Sequence, residues 1–309
     1  MKIIGSENTI TEPVALTVGS FDGVHLGHKA LLQQLQAIAK QNGLKTAVMT
    51  FEPHPKIFFN PAGDFKLLNT LDEKIKLLQN TGIDYLIVQD FNKEFASLNP
   101  EKFIEKLINQ FQMKHLLMGY DHHFGKNRSG NYDYIRSLEK KYPFKTSKIL
   151  AIKQNGENIS SSLIRRLLNE GKIEQANKLL GYPYFIYGKV VSGNRIGNKL
   201  GFPTANIEVE NKYKLVPKQG VYLVKSIIDN IPYYGMMNIG VRPTIDGTKE
   251  IREVHFFDFD QDIYGKNIQI SFLKRLRDEK KFDSLKDLTH QLHLDKQKSL
   301  EYIEKLKDF

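Results

Sequence analysis

The chain has 309 residues, 40% of them hydrophobic and 26% charged, which is too long for one small core and predicts two globular domains of a soluble protein. The absence of cysteine excludes disulfides, thiolate catalysis and zinc–cysteine sites. The net charge of +10 is spread along the chain without a basic tail or block, which argues against a nucleic-acid partner and for anionic small substrates.

The first part alternates strand and helix patterns. Val14–Val18 is a short apolar run ending in Gly19-Ser20. Apolar residues at helical spacing follow from His28 through Ala39 (Leu31, Leu32, Leu35, Ile38) and stop at Asn42-Gly43. Thr46–Phe51 reads as a second strand, Leu71–Gln79 as a helix and Tyr85–Val88 as a third strand. Pro100 opens a helix with Phe103, Ile104, Leu107, Ile108 and Phe111 on one face. A fourth strand at His115–Met118, a helix at Tyr132–Lys140, a strand at Lys148–Ile152 and a helix at Ser161–Leu168 close the series. Such alternation predicts a doubly wound parallel sheet, Rossmann-like, with ligands at the carboxyl ends of its strands.

Beyond about Gly181 the pattern changes. Tyr184–Val191, Gly220–Ile228, Ile231–Met237, Glu253–Phe257 and Asn267–Phe272 read as strands, with Asp229-Asn230 as a turn, and a helix follows from Ser284 to Leu306. This predicts a small antiparallel β-barrel with a terminal helix. The junction falls in Leu179–Tyr184, giving domains at 1–181 and 182–309. The start, MKIIGSENTI, lacks the apolar core of a signal peptide, and no apolar run is long enough to span a bilayer. A cytoplasmic protein without a membrane partner is expected.

Two segments carry chemistry. In GSFDGVHLGH, residues 19–28, His25 and His28 lie three apart at the start of a predicted helix, directly after a strand. A helix N-terminus attracts phosphate. Two imidazoles there can donate hydrogen bonds to a reacting phosphate and its leaving group without any nucleophilic side chain. In ISSSLIRR, residues 159–166, the serines can cap a helix and Arg165 can reach a phosphate one turn on. In GNRIGNKLGFPTAN, residues 193–206, Gly193, Gly197 and Gly201 permit close backbone approaches, and Pro203 fixes the chain before Thr204 and Asn206. Oxygen ligands of that kind suit Mg²⁺ and a nucleotide. Glu253, in EVHFFD, is a candidate general base, against the plainer alternative of a strand residue paired with Arg252 or Lys249. NIGVRPT, residues 238–244, reads as another glycine–proline turn. His54, His122 and His123 show no ligand spacing, so no metal cluster is expected, and GYDHHFGKNRSG departs from the spacing of a P-loop.

GSFDGVHLGH and ISSSLIRR resemble the signatures of the HxGH nucleotidyltransferase superfamily. With TFEPHP, GYDHHFGKNRSG, GNRIGNKLGFPTAN, GVYLV, NIGVRPT, EVHFFDFDQDIYG and LRDEKKFDSLKDL in this order, the whole chain resembles the bifunctional riboflavin kinase/FMN adenylyltransferase family. The resemblance implies phosphorylation of riboflavin to FMN in the second domain and adenylylation of FMN to FAD in the first, with ATP as co-substrate and Mg²⁺ as the divalent cation. It implies His25 and His28 as catalytic, with Gly19, Phe21, Asp22, Asp121, Ser161, Ser162 and Arg165 binding nucleotide or flavin. In the second domain it implies Glu253 as the base, Thr204 and Asn206 as holders of Mg-ATP, and Gly193, Arg195 and Gly197 as a loop over the nucleotide. A monomer or weak oligomer working on small molecules is expected. Ser162 replaces a usual Thr, His122 a common Phe and Asn198 a frequent Arg. Two alternatives stand: a single active module, or a flavin- or nucleotide-binding regulator.

Overall fold

The structure, a computed structural model, describes residues 1–119, 130–150, 153–154, 156–192, 201–244 and 247–307. It divides into two compact units, Met1–Ser161 and Ser162–Phe309.

In the first unit, β1 (Lys2–Gly5), β2 (Val14–Val18), α1 (Leu26–Asn42), β3 (Lys45–Glu52), α2 (Pro55–Phe59), α3 (Leu71–Gln79) and β4 (Tyr85–Asp90) come first. Next are α4 (Lys93–Ser97), α5 (Pro100–Phe111), β5 (Met113–Met118), α6 (Tyr132–Ser137) with a 3₁₀ turn over Leu138–Lys140, β6 (Lys145–Lys148) and the short pair β7 (Lys153–Gln154) and β8 (Glu157–Asn158). Six strands form one parallel sheet in the order β1-β4-β3-β2-β5-β6. All five residues of β2 are buried, because helices cover both faces of the sheet. Val14, Leu16 and Val18 pack with Phe103, Ile104, Leu107 and Phe111 of α5. Ala15, from the other face, packs with Leu31, Leu32 and Leu35 of α1. Each such fully buried Val, Leu, Ile or Phe contributes roughly 1.5–3 kcal/mol. The order reverses at β2: β3 lies on one side and β5, reached by a crossover from β4, on the other. The carboxyl ends of β2 and β5 are therefore the switch point where ligands bind in open α/β sheets.

The second unit holds α7 (Ser161–Asn169, from its second residue), α8 (Ile173–Leu180), β9 (Phe185–Val191), β10 (Ala205–Glu208), β11 (Gly220–Ile228), β12 (Ile231–Thr244), β13 (Gly247–Phe256), β14 (Asn267–Arg277) and α9 (Leu285–Lys307). The six strands close into an antiparallel barrel, β10-β13-β12-β11-β14-β9. Tyr222, Val224, Met237, Ile239, Ile270 and Phe272 are buried at alternate positions and fill it. Val221, Leu223 and Met236, of opposite parity, pack with Phe202, Phe257 and Ile303 of α9 on the outer face. Asp229 and Asn230 take φ values of 50° and 66°, as a tight hairpin turn demands at both central residues.

The predicted fold class holds in both parts, with local corrections. Of the strand expected at Lys148–Ile152, Ala151 and Ile152 lie outside the described residues, and Ile149 and Leu150 are not in β6, which pairs Lys145–Lys148 with His115–Met118. The polar segment KTSK has the ladder partners, while Leu150 in the apolar run beyond it is 84% exposed. NIGVRPT is not a turn but the end of β12, paired from Asn238 to Thr244 with β13. The ladder overrides the turn propensity of its glycine and proline. The four-residue strands β1 and β10 and the helices α2, α4 and α8 lie outside the expected elements.

Candidate functional site

At the switch point the chain leaves β2 in an unusual backbone path. Phe21 and Val24 have positive φ, 47° and 34°, and Gly23 lies between them at 91°. Non-glycine residues in this region carry strain and need support from their surroundings. Here the support is visible. Gly19 donates its N–H to Met49 O at 3.0 Å, and the Thr50 hydroxyl donates to Ser20 O at 3.0 Å. Phe21 is buried. Asp22, placed by resemblance in the binding set, is 1% exposed and takes the backbone N–H groups of Leu68 and Asn69 on its carboxylate at 3.0 Å.

The loop delivers His25 as the N-cap of α1, with Nδ1 accepting the N–H of His28 at 3.3 Å. That bond fixes the tautomer: Nδ1 is the acceptor, so the proton of the neutral ring is on Nε2. The two imidazoles stack with centroids 3.7 Å apart and planes at 15°. Phe21 closes on His28 at 4.9 Å. Gly27 explains itself sterically, since a Cβ there would meet the His25 ring at 3.1 Å. Ser161, the first residue of α7, donates its hydroxyl to Asp22 O at 2.7 Å. Phe21, His25, His28 and Ser161 are thus brought together at a helix N-terminus, a place that attracts anions. Ser162 and Arg165 follow on α7. Asp121 lies outside the described residues, as do Gly193, Arg195 and Gly197 and the departures His122 and Asn198.

In the second unit β10 and β12 flank β13. Asn206 is paired with Glu253, and Glu253 with Asn238. Directly opposed residues share a face of the sheet, so an amide, a carboxylate and an amide stand in a row across three strands. Arg252, on the opposite face, pairs with Glu250. Two residues on, His255 follows Glu253 on its own face and places Nδ1 2.9 Å from Pro203 O, directly before Thr204. Its ring lies edge-on to Phe202 at 5.0 Å.

Two cavities meet at this point. One, of about 340 Å³, lies under α9 and is lined by Phe202, Thr204, Met236, Glu253, His255 and Leu292 among others. The other, of about 320 Å³, lies on the opposite parity of β13 and is lined by Pro203, Thr204, Val254, Phe256, Ile263 and Tyr264 among others. Thr204 borders both, and Glu253 only the first. Sequence reasoning missed Asn238, which gains meaning only through register, and, although strand alternation puts His255 on the face of Glu253, it missed the contact of that ring with Pro203. It also missed the aromatic group at the carboxyl ends of β3 and β4, where Phe51, Phe58 and Phe59 surround Phe91 at 5.4–5.7 Å and Phe59 is 69% exposed. TFEPHP points to that group. Its histidine, His54, caps α2 by accepting the N–H of Lys56 at 3.1 Å.

Comparison with known proteins matches the chain to two families in order. A family model described as FAD synthetase matches residues 7–163, and one described as riboflavin kinase matches residues 180–303. A bifunctional riboflavin kinase/FMN adenylyltransferase from Bacillus subtilis is 39% identical, covering 94% of this chain and 93% of its own. One from Escherichia coli K12 is 36% identical, covering 94% and 93%. The crystal structure of a protein from Streptococcus pneumoniae, described as a macrolide-efflux protein, aligns with a TM-score of 0.88 at 32% identity, covering 96% of this chain and 98% of its own. Among the described residues here, no helix is long and apolar enough to cross a membrane. With both family models matched in order and relatives aligned along nearly the whole length, the chain belongs to the bifunctional riboflavin kinase/FMN adenylyltransferase family.

Proposed function

We propose that the chain makes FAD from riboflavin in two transfers, with functional domains at 1–181 and 182–309. The observation that carries the kinase assignment is the row Asn206–Glu253–Asn238 beside Thr204. A general base must touch the hydroxyl it deprotonates. Riboflavin therefore occupies the cavity that contains Glu253, under α9, where Phe202, Met236 and Leu292 offer an apolar wall. ATP occupies the other cavity, with its γ-phosphate at Thr204, the residue both cavities share. Glu253 takes the proton of the ribityl hydroxyl as its oxygen bonds to the γ-phosphorus and ADP leaves. Thr204 and Asn206 offer side-chain oxygens, a donor set that fits a hard divalent cation. Mg²⁺ held there supplies charge neutralisation at the transferring phosphoryl group.

In the domain at 1–181, a phosphate oxygen of FMN bonds to the α-phosphorus of a second ATP and pyrophosphate leaves. The N-terminal N–H groups of α1 and the donors of His25 and His28 face the charge that develops, with Ser162 and Arg165 on the leaving triphosphate. The exposed face of Phe59 suits a flat isoalloxazine. The spread of positive charge suits the anionic ATP, FMN and FAD, which with riboflavin are the small-molecule partners of a cytoplasmic monomer or weak oligomer without nucleic-acid or membrane partners.

The test separates the reactions. Glu253→Ala should slow FMN formation from riboflavin by at least about a hundredfold while leaving FAD formation from FMN near normal. His28→Ala should do the reverse. Separation of the flavins after incubation with ATP and Mg²⁺ reads both. Either variant keeping the activity assigned to it would overturn that assignment, and the absence of both products in the wild type would leave the regulator as the better reading.

A further inference from the structure

Beneath the Gly19–His25 loop lies a buried lysine that the two transfers above do not use. Lys74, on α3, is 3% exposed. Its Nζ donates to Thr50 Oγ1 at 2.9 Å, and the Thr50 hydroxyl donates in turn to Ser20 O at 3.0 Å. A chain of two hydrogen bonds thus runs from α3 through the end of β3 into the loop that presents His25 and His28.

The charges around this chain matter as much as its bonds. Burial lowers the affinity of Lys74 for its proton, and the carboxylates of Asp22 and Glu52 act in the opposite sense. Burial pushes the carboxyl of Glu52 up from its ordinary range; Lys74 pulls it down and Asp72 adds to the rise. Removing a charge from water is costly, and a buried ammonium is kept only where partners answer it. Asp22 is itself buried, 1% exposed, and holds the loop to Leu68 and Asn69. The floor of the loop therefore carries carboxylates, yet the loop has to admit the triphosphate of ATP and the phosphate of FMN. In a medium of low dielectric, like charges a few ångströms apart repel strongly.

We infer that Lys74 is a positioning residue for nucleotidyl transfer: it cancels carboxylate charge under the Gly19–His25 loop and, through Thr50, fixes the Ser20 carbonyl, so that the loop accepts two polyanionic substrates. The inference rests on the assignment of FMN adenylylation to this loop. Lys74 touches no substrate; it acts through Thr50 and through the field it sets. A purely structural lysine and an electrostatic one differ in how their loss is repaired. If the ammonium matters for its charge, removing a carboxylate with it restores balance.

The experiment uses the full-length chain and two assays, FAD from FMN and FMN from riboflavin, the second as an internal control for folding of the rest of the protein. Lys74→Met should raise the KM for ATP in FAD formation by about tenfold or more and leave riboflavin phosphorylation within about twofold. Glu52→Gln alone should stay near wild type, and the double variant Glu52→Gln/Lys74→Met should recover most of the lost kcat/KM. An unchanged KM in Lys74→Met overturns the inference, and so does a double variant no better than Lys74→Met. If Lys74→Met melts early and makes no FAD, the double variant decides: FAD formation there supports the charge role, and its absence overturns it. A wild type that makes no FAD, or a His28→Ala variant that still makes it, would instead overturn the assignment of the loop.

Discussion

His255 shows how one side chain links Glu253's strand to the segment of Thr204, the two halves of the proposed kinase site. It stands on the strand that carries Glu253 and reaches Pro203 O, one residue before Thr204. Burial pushes its ring below the ordinary 6.5; the Pro203 carbonyl raises it, Lys296 lowers it and Asp258 raises it, with burial the winner. The sign of the consequence follows. As pH falls, the unfolded ring takes up its proton near the ordinary value, while the folded ring does so only at lower pH. Between those points the unfolded chain binds more protons, so stability falls with falling pH. Wild type should lose stability relative to His255→Gln as pH falls through and below the ordinary histidine value of about 6.5, and urea midpoints of the two proteins on either side of it measure the loss. Parallel curves would show that the ring carries no such linkage. His255→Gln leaves in place His115, whose ring burial also lowers, so the difference isolates His255.

The helix α9 forms the roof of the cavity that contains Glu253, and besides its apolar packing it is tied to the barrel by one buried carboxylate. Asp295 is 1% exposed. It accepts from Arg277 Nε of β14 at 2.8 Å and from Gln291 Nε2 at 2.9 Å, and Arg277 lines the cavity together with Leu288 and Leu292 of α9. Asp295→Ala leaves a guanidinium facing an empty site. It should destabilise the second unit by roughly 3–5 kcal/mol and raise the KM for riboflavin more than that for ATP. Chemical denaturation and steady-state kinetics check the two halves of this expectation; an unchanged riboflavin KM would mean that α9 does not shape the acceptor site. This helix is also the kind of element a sequence reveals: its expected span, Ser284–Leu306, nearly matches Leu285–Lys307. The strand and helix runs with a strong period were legible in the same way, as was the His25–His28 pair, whose spacing is local. What stayed hidden depends on partners. β1 and β10 are four residues each, too short to show a period, and exist because β4 and β9 offer them ladders. In β12 the expected strand already ran through Gly235, where a Cβ would come within 2.4 Å of His255 O, so the glycine serves strand contact; what stayed hidden was its continuation through NIGVRPT. Lys74 gave no signal at all, since a lysine on a helix is ordinarily solvated and only the packed fold buries it.

At the scale of the whole molecule, the proposed chemistry divides much as compactness does, although Ser162 and Arg165, assigned to the first domain's transfer, fall past the division. Phe21, His25, His28 and Ser161 belong to the first unit, and Thr204, Asn206, Asn238, Glu253 and His255 to the second. Each transfer needs ATP, and FMN is the product of one and the substrate of the other. If FMN leaves the kinase unit as a free species, the two reactions need not occur on the same chain. An equimolar mixture of Glu253→Ala, expected to adenylylate but not phosphorylate, with His28→Ala, expected to phosphorylate but not adenylylate, should then convert riboflavin to FAD. The intermediate should pass through solution. FAD should appear after a lag, the lag should shorten as protein concentration rises, and FMN should be detectable during it, because transfer between chains depends on the concentration that free FMN reaches relative to its affinity for the second chain. The wild type at the same total concentration should show a similar lag. A wild type that forms FAD with no lag and no free FMN, beside a mixture that stalls at bound FMN, would contradict free release. It would show that the family's two reactions are joined in this chain by more than a shared backbone.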